Sequence, residues 1–398
     1  MKKLICILMA LTFICALAAC GDGNTPDTPE VETFESKIFD GIDAVFDESL
    51  GYYNENPSAF QEGATRYLYY TRNTVKYDST TDSIAVRVGT YSNGEWTYGE
   101  PQTCISVSES GWDSGGVFGA DVVKGTFAYN GETYSYLMAY CGTTRSDRTD
   151  ADIGFAVAKE PTGEWVKVGT EPFIEFNSSE WDSVGLTSYP GAIEPSLISY
   201  DEGGKVYLFY EESEVFKSNY AVELDCSNMD SIVRGGRKVI ERGGISDLGT
   251  SNPLLYGADY VYAEDGDMLY AVREGRTTAT ANPIVADELQ ALRSSMDILD
   301  TIDQGVSDPD AEPYEWWSEI DDISSSDTAD FESEDRILGY MRIFSPTIVS
   351  NEYGGMLDYA SLEILFTSQT CEGDSRLPAE HEDAYLFSQM IHSMVIEL

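Results

Sequence analysis

The chain has 398 residues, with 70 Asp and Glu against 24 Lys and Arg and a formal net charge of −46. A surface this negative, without a Lys/Arg cluster, repels phosphate backbones and excludes nucleic acid as a partner. Hydrophobic residues at 42% and 26 tyrosines suffice for a sizeable core, which separates the chain from disordered acidic polymers.

At the N-terminus, Lys2 and Lys3 precede an apolar run from Leu4 to Ala19 that is too short for a spanning helix and closes on small residues. It reads as a secretory signal over residues 1–19. Its end, Leu17-Ala18-Ala19-Cys20 followed by Gly21, resembles a bacterial lipobox. That resemblance implies cleavage before Cys20, acylation of that cysteine and a lipid anchor in the cell envelope. Residues 20–40 hold Gly, Pro, Thr and acids without periodicity, as a flexible tether does. Beyond them, Cys104, Cys141, Cys226 and Cys371 are far apart and lack CxxC spacing, so a zinc site is not expected. Export permits disulfides, and their pairing stays open.

Over residues 41–398 five segments align, in units beginning near 46, 112, 181, 246 and 334. Each carries an acid, then Gly, then an X-Pro step or its equivalent. The pairs are Asp47 with Asn56-Pro57, Asp113 with Ala120-Asp121, Asp182 with Glu194-Pro195, Asp247 with Asn252-Pro253, and Asp335 with Ser345-Pro346. A short apolar strand, a Gly turn and a Tyr- or Leu-rich second strand follow each time: Tyr67–Thr71, Tyr136–Tyr140, Tyr207–Tyr210, Leu269–Val272 and Leu362–Phe366. The turns are Glu62-Gly63, Asn130-Gly131, Gly203-Gly204, Asp265-Gly266 and Gly354-Gly355, suited to tight hairpins because Gly accepts positive φ. Third strands recur at Ile84–Val88 and Ile153–Val157, each leading to Gly-Glu-Trp at Trp96 and Trp165. About four antiparallel strands repeated five times predict an all-β, five-bladed propeller with four-stranded blades.

The fourth unit is the longest, and its excess is read as an insertion over 283–335. Val285, Leu289, Leu292, Met296 and Leu299 fall at helical spacing, which predicts an amphipathic helix near 285–302. Ser307 to Asp335 then holds twelve acids and no Lys or Arg, an acidic excursion on the rim. Within it, Asp308-Pro-Asp310-Ala-Glu312 lacks the Gly of a calcium loop, and no metal is expected.

The succession of Trp-Asp-Ser, Gly, X-Pro, Gly turn, Tyr-Leu-x-Tyr, Ile-Gly-x-Ala and Gly-x-Trp resembles the five-bladed propellers of the arabinanase, levansucrase and invertase superfamily. Glycoside hydrolase family 43 is among them. The resemblance implies a carbohydrate ligand in a central pocket, with carboxylates there performing glycoside chemistry. At the position of the family's first-blade Asp base stands Asn56; at that of the third-blade Asp stands Glu194; near that of the fourth-blade Glu acid stands Asn252. An amide cannot act as a base toward water or as an acid toward a leaving oxygen at neutral pH, so the family mechanism cannot simply be copied, and only Glu194 keeps a carboxyl.

Glu194 with Asp121 is therefore the candidate acid–base pair. Asn56, Asn252, Asp113, Asp182, Trp112 and Trp181 are candidate ligand contacts. Asp113 and Asp182, with Asp47, Asp247 and Asp335, read equally as caps of Gly turns, and Trp112 and Trp181 as blade packing. His381 and His392 are the only histidines, too few for a Ser-His-Asp triad or a His-rich metal site, and no nucleotide loop is present, so no cofactor is expected. Two readings stand. One is a monomeric envelope lipoprotein that binds, and by its fold could hydrolyse, a neutral glycan. The other is a glycan-binding or scaffold lipoprotein that has lost the acid–base pair.

Overall fold

The computed structural model describes residues 45, 51–176, 190–212, 218–240, 256–264, 267–275, 288–300, 317–324, 340–370 and 389–398. They fold into five antiparallel sheets, blades I to V. Blade I comprises β1 (Glu55–Glu62), β2 (Thr65–Asn73), β3 (Asp82–Ser92), β4 (Glu95–Tyr98) and β5 (Gln102–Ser106), with both β4 and β5 pairing with β3. Blade II is β6 (Gly116–Tyr129), β7 (Glu132–Thr143), β8 (Asp152–Ala158) and β9 (Val166–Lys167); blade III is β10 (Ala192–Ser199), β11 (Lys205–Glu212), β12 (Ser218–Asp225) and β13 (Val233–Val239). Blade IV is β14 (Tyr256–Ala263), β15 (Met268–Gly275), β16 (Glu288–Ser295) and β17 (Ser318–Ser324). Blade V is β18 (Tyr340–Ile348), β20 (Ser361–Thr370) and β21 (Met390–Glu397), three strands among the described residues where four were expected; the short β19 (Ser350–Asn351) between β18 and β20 joins the sheet of blade I by pairing in parallel to β1. The innermost strands β1, β6, β10, β14 and β18 touch one another in a closed ring, so the sheets stand radially around one axis.

Each blade buries both faces against its neighbours, so strands between two cores carry apolar residues on both sides rather than a strict alternation. The buried clusters between blades show this. Phe118, Leu137 and Phe155 pack with Leu197, Leu208 and Val222 between blades II and III, and Phe209 with Tyr260 and Leu292 between III and IV. The same logic corrects the predicted helix near 285–302. The segment is the third strand of blade IV followed by a single 3-10 turn over Met296–Asp300. Leu289 faces the core shared with blade V, Leu292 and Ile298 the core shared with blade III. Burial on both sides produces an apolar spacing that mimics a helix. The presumed insertion thus supplies β16 and β17, while 301–316 and 325–339, with the Asp308 to Glu312 loop and Asp335, lie outside the described residues.

The turn from Ser350 to Met356 ties the far ends of the other four inner strands together. Beyond the β1 pairing, the Glu352 carbonyl accepts from Lys124 N–H (2.6 Å), that of Tyr353 from Ser199 (2.8 Å), and that of Gly354 from Tyr262 (3.1 Å). The side chain of Asn351 holds the turn by accepting from Tyr353 and Gly355 N–H, both at 2.9 Å. The axis is thereby crossed by backbone at this end.

Candidate functional site

At the opposite end, each inner strand bends at the same register. Asn56, Gly119, Glu194, Gly257 and Ser345 all adopt left-handed φ between 46° and 52°, and each sits in a β-bulge where two residues oppose one on the second strand. These corners point their following residues inward. The triplets Asn56-Pro57-Ser58, Gly119-Ala120-Asp121, Glu194-Pro195-Ser196, Gly257-Ala258-Asp259 and Ser345-Pro346-Thr347 meet around the axis, and all but Ser196 line one pocket. Four of the corner N–H groups are held by the second strand of the preceding blade. Gly119 N–H donates to Thr71 Oγ1 (3.0 Å), Gly257 to Glu211 Oε2 (3.4 Å), Ser345 to Glu274 Oε1 (2.9 Å) and Glu194 to the Cys141 sulfur.

The triplets alternate in chemistry. Odd blades carry Pro and a hydroxyl; even blades carry Gly-Ala-Asp. Asp121 accepts from Ser58 Oγ (2.6 Å) of blade I and from Leu197 N–H (2.6 Å) of blade III, as well as from Val122 N–H (2.9 Å). Asp259 accepts from Thr347 Oγ1 (2.7 Å) and Ile348 N–H (2.8 Å) of blade V. Each carboxylate therefore fastens its blade to its neighbours. Burial, and then the Asp259 charge, raise the Asp121 carboxyl above the usual carboxylate range despite its donors; burial raises Asp259 likewise.

On the mouth side of that layer, the Asn56 amide spans the axis. Its Nδ2 donates to Glu194 Oε1 (3.3 Å) and to Ser345 Oγ (2.8 Å), linking blades I, III and V. The void among these groups has a volume of about 20 Å³, room for about one water. Among the described residues its lining holds the carboxyls of Asp121, Glu194 and Asp259 and no Lys or Arg.

Of the sequence candidates, Asn56, Asp121 and Glu194 meet in this pocket. Asp113 and Trp112 do not line it. Asp113 is buried in blade II, accepting from the Tyr140 hydroxyl (3.1 Å) and paired with Lys167 (2.5 Å). The Trp112 ring lies flat on Gly142 and Gly154, where a Cβ would meet it at 2.3 Å and 2.4 Å, beside Tyr140. The absence of side chains at those glycines makes the seat, so Trp112 is a packing residue. Cys20, Asp47, Trp181, Asp182, Asp247, Asn252 and Cys371 lie outside the described residues. The fourth corner is Gly257-Ala258-Asp259 rather than Asn252-Pro253, a shift of register. Asp259 was therefore missed, although Gly-Ala-Asp at 119–121 recurs unchanged at 257–259. Cys104, Cys141 and Cys226 are free thiols.

Known structures share this architecture. A family 117 glycoside hydrolase from the marine bacterium Zobellia galactanivorans superposes with a TM-score of 0.50 at 12% identity, over 89% of this chain and 88% of that one. The catalytic domain of a GH62 α-L-arabinofuranosidase from Coprinopsis cinerea gives 0.50 at 10% identity, over 89% and 95%. At these identities the likeness is one of fold alone. A native arabinanase from Bacillus subtilis gives 0.45 at 14% identity, over 88% and 95%. No family model matches the sequence. No curated protein matches it either.

A second charged group of this propeller lies beside the corners, between blades I and II. Arg148, itself left-handed (φ 56°), pairs with Glu55 and with Asp82 (2.8 Å) under the rings of Tyr53 and Phe118. Glu55 directly precedes Asn56, so this network fixes the entry to the first corner.

Proposed function

We propose that this chain is an exported, lipid-anchored protein of the bacterial cell envelope whose propeller binds a neutral glycan across the mouth of the axial pocket without cleaving it. Residues 1–19 would be the signal, Cys20 the lipidated residue, 20–40 the tether and 41–398 the monomeric binding domain. The observation that carries the reading is the Asn56 amide. It stands where the resemblance implies a proton acceptor, and its hydrogens are directed at Glu194 and Ser345. The amide donor makes Glu194 Oε1 an acceptor, an arrangement suited to binding a hydroxyl. Three carboxyls without a cation in the lining favour an uncharged ligand over a polyanion.

Hydrolysis is the second reading, and one observation favours it. Asp121, a half-buried pocket carboxyl raised above its ordinary range, has the protonation a general acid needs. Calorimetric titration with neutral oligosaccharides, alongside reducing-sugar release, separates the two. Binding without release in the wild type, weakened about tenfold in Glu194→Gln, is the expected result. Release that disappears in Asp121→Asn or Glu194→Gln would establish hydrolysis instead, and no binding by any neutral oligosaccharide would remove the glycan assignment.

A further inference from the structure

We propose that the ring opens at one defined joint, between blades I and V, and that the Asn56–Ser345 hydrogen bond couples this opening to the axial pocket. Three independent features of the described residues single out that joint. The first is the corner cap. In four joints a second-strand side chain, Thr71, Cys141, Glu211 or Glu274, accepts the corner N–H of the next blade. The equivalent residue of blade V is Thr367, opposite Phe344 in the same register, and its buried Oγ1 has no hydrogen-bond partner. The second is the carboxylate layer. Asp121 joins blades I, II and III and Asp259 reaches blade V, but five is odd, so the alternation places Thr347 beside Ser58 with no carboxylate between. The third is the core. Seven buried apolar residues form the cluster between blades V and I, against twelve or more in each of the other four.

At the closed end the joint is held by the backbone pairing of β1 with β19, and elsewhere its contacts are polar. Arg66 grips Glu363 with two bonds of 2.6 Å at the far end, and Val45 N–H donates to the Ile391 carbonyl (2.8 Å) on the outer described strand of blade V. Asn54 Nδ2 donates to the Gln389 carbonyl (3.2 Å), while Asn54 Oδ1 and Gln389 Oε1 stay buried without partners. At the mouth the joint is bridged by Asn56 to Ser345, and Asn56 also holds Glu194. Separation of blades I and V therefore removes the amide that orients the pocket carboxylate. Least-protected elements open first and as units, which makes the joint visible without any ligand.

The test is amide hydrogen exchange on the intact chain. Backbone amides of β18, β20 and β21, with that of Asn56, should exchange together, at least tenfold faster than β7, β8 and β11 at the centre of the largest core. Glu363→Gln breaks the Arg66 grip at a distance from the pocket and should accelerate this set a further several-fold, Asn56 included, leaving β7 and β8 unchanged. Equal protection of all five blades would overturn the proposal. So would a Glu363→Gln variant whose acceleration stops short of Asn56, since coupling would then be absent. If that variant does not fold, the wild-type comparison decides alone. A glycan that fails to bind leaves this measurement intact, so it stands or falls apart from the functional reading.

Discussion

Replacing Gly354 by Ala tests whether the Ser350–Met356 turn is what fastens the closed end of the ring. Gly354 has φ +80°, and a Cβ there would lie 2.6 Å from the Leu197 carbonyl oxygen and 3.0 Å from the Ile198 Cα. Both obstacles are backbone of the third inner strand and cannot rotate away. The turn must withdraw, stretching the bonds from Ser199 N–H to Tyr353 (2.8 Å) and from Tyr262 N–H to Gly354 (3.1 Å), each contributing about 1 kcal/mol. Left-handed Ala adds about 1–2 kcal/mol, offset by roughly 0.4–1 kcal/mol from the stiffer unfolded chain. The expected loss is about 3 kcal/mol. Gly63→Ala supplies the control, because Gly63 is also left-handed (φ +62°) but its Cβ would meet nothing within 4 Å. That variant should lose only about 1 kcal/mol, the backbone cost alone. Urea unfolding at constant slope reads both. Equal losses in the two variants would refute the reasoning, since the steric and hydrogen-bond parts would then be zero.

Arg148→Met should destabilise by about 3–5 kcal/mol, because it leaves the buried carboxylates of Glu55 and Asp82 unpaired, and urea unfolding would show a shifted midpoint. The axial carboxyls give a pH dependence of defined sign. Asp121 and Asp259 are raised by burial, and Asp152 is pushed up to about 6 by the same cause, so the folded state holds protons that the unfolded state has lost above about pH 4. Their contribution to stability is full below about pH 4 and is lost as pH rises through the folded values. The urea midpoint should therefore fall between pH 5 and pH 7.5, and fall less in Asp121→Asn; an unchanged slope in that variant would contradict the assignment. Trp112→Ala should cost about 2 kcal/mol through the lost seat on Gly142 and Gly154 while glycan affinity in calorimetry stays the same. A loss of affinity without a loss of stability would return Trp112 to the ligand.

The repeat was legible because hairpin chemistry is local. Asn130-Gly131, both at positive φ, closes a two-residue turn between β6 and β7, and the Tyr- or Leu-rich segments read from the sequence fall in β2, β7, β11, β15 and β20, the second strands of all five blades. Where the reading failed, tertiary burial had replaced local pattern. β16 carries no alternation because both its faces are cores, and its spacing imitated a helix. At the fourth corner the search followed Pro, whereas the backbone requirement is a left-handed residue, which Gly257 meets more readily than any residue before a proline. Gly119 and Gly257 are the two corners with glycine, and they are the two followed by Ala-Asp. The physical rule is thus that a corner needs positive φ plus an inward polar group, with proline optional. Applied to Asn56, the rule changes the meaning of the residue. Asparagine tolerates left-handed φ better than most side chains, and its amide supplies donors to two partners at the joint where the carboxylate alternation cannot close. A carboxylate at that position would face Glu194 across the axis as an acceptor against an acceptor. The amide at Asn56 accordingly donates to both neighbours and links blades I, III and V where the carboxylate alternation breaks.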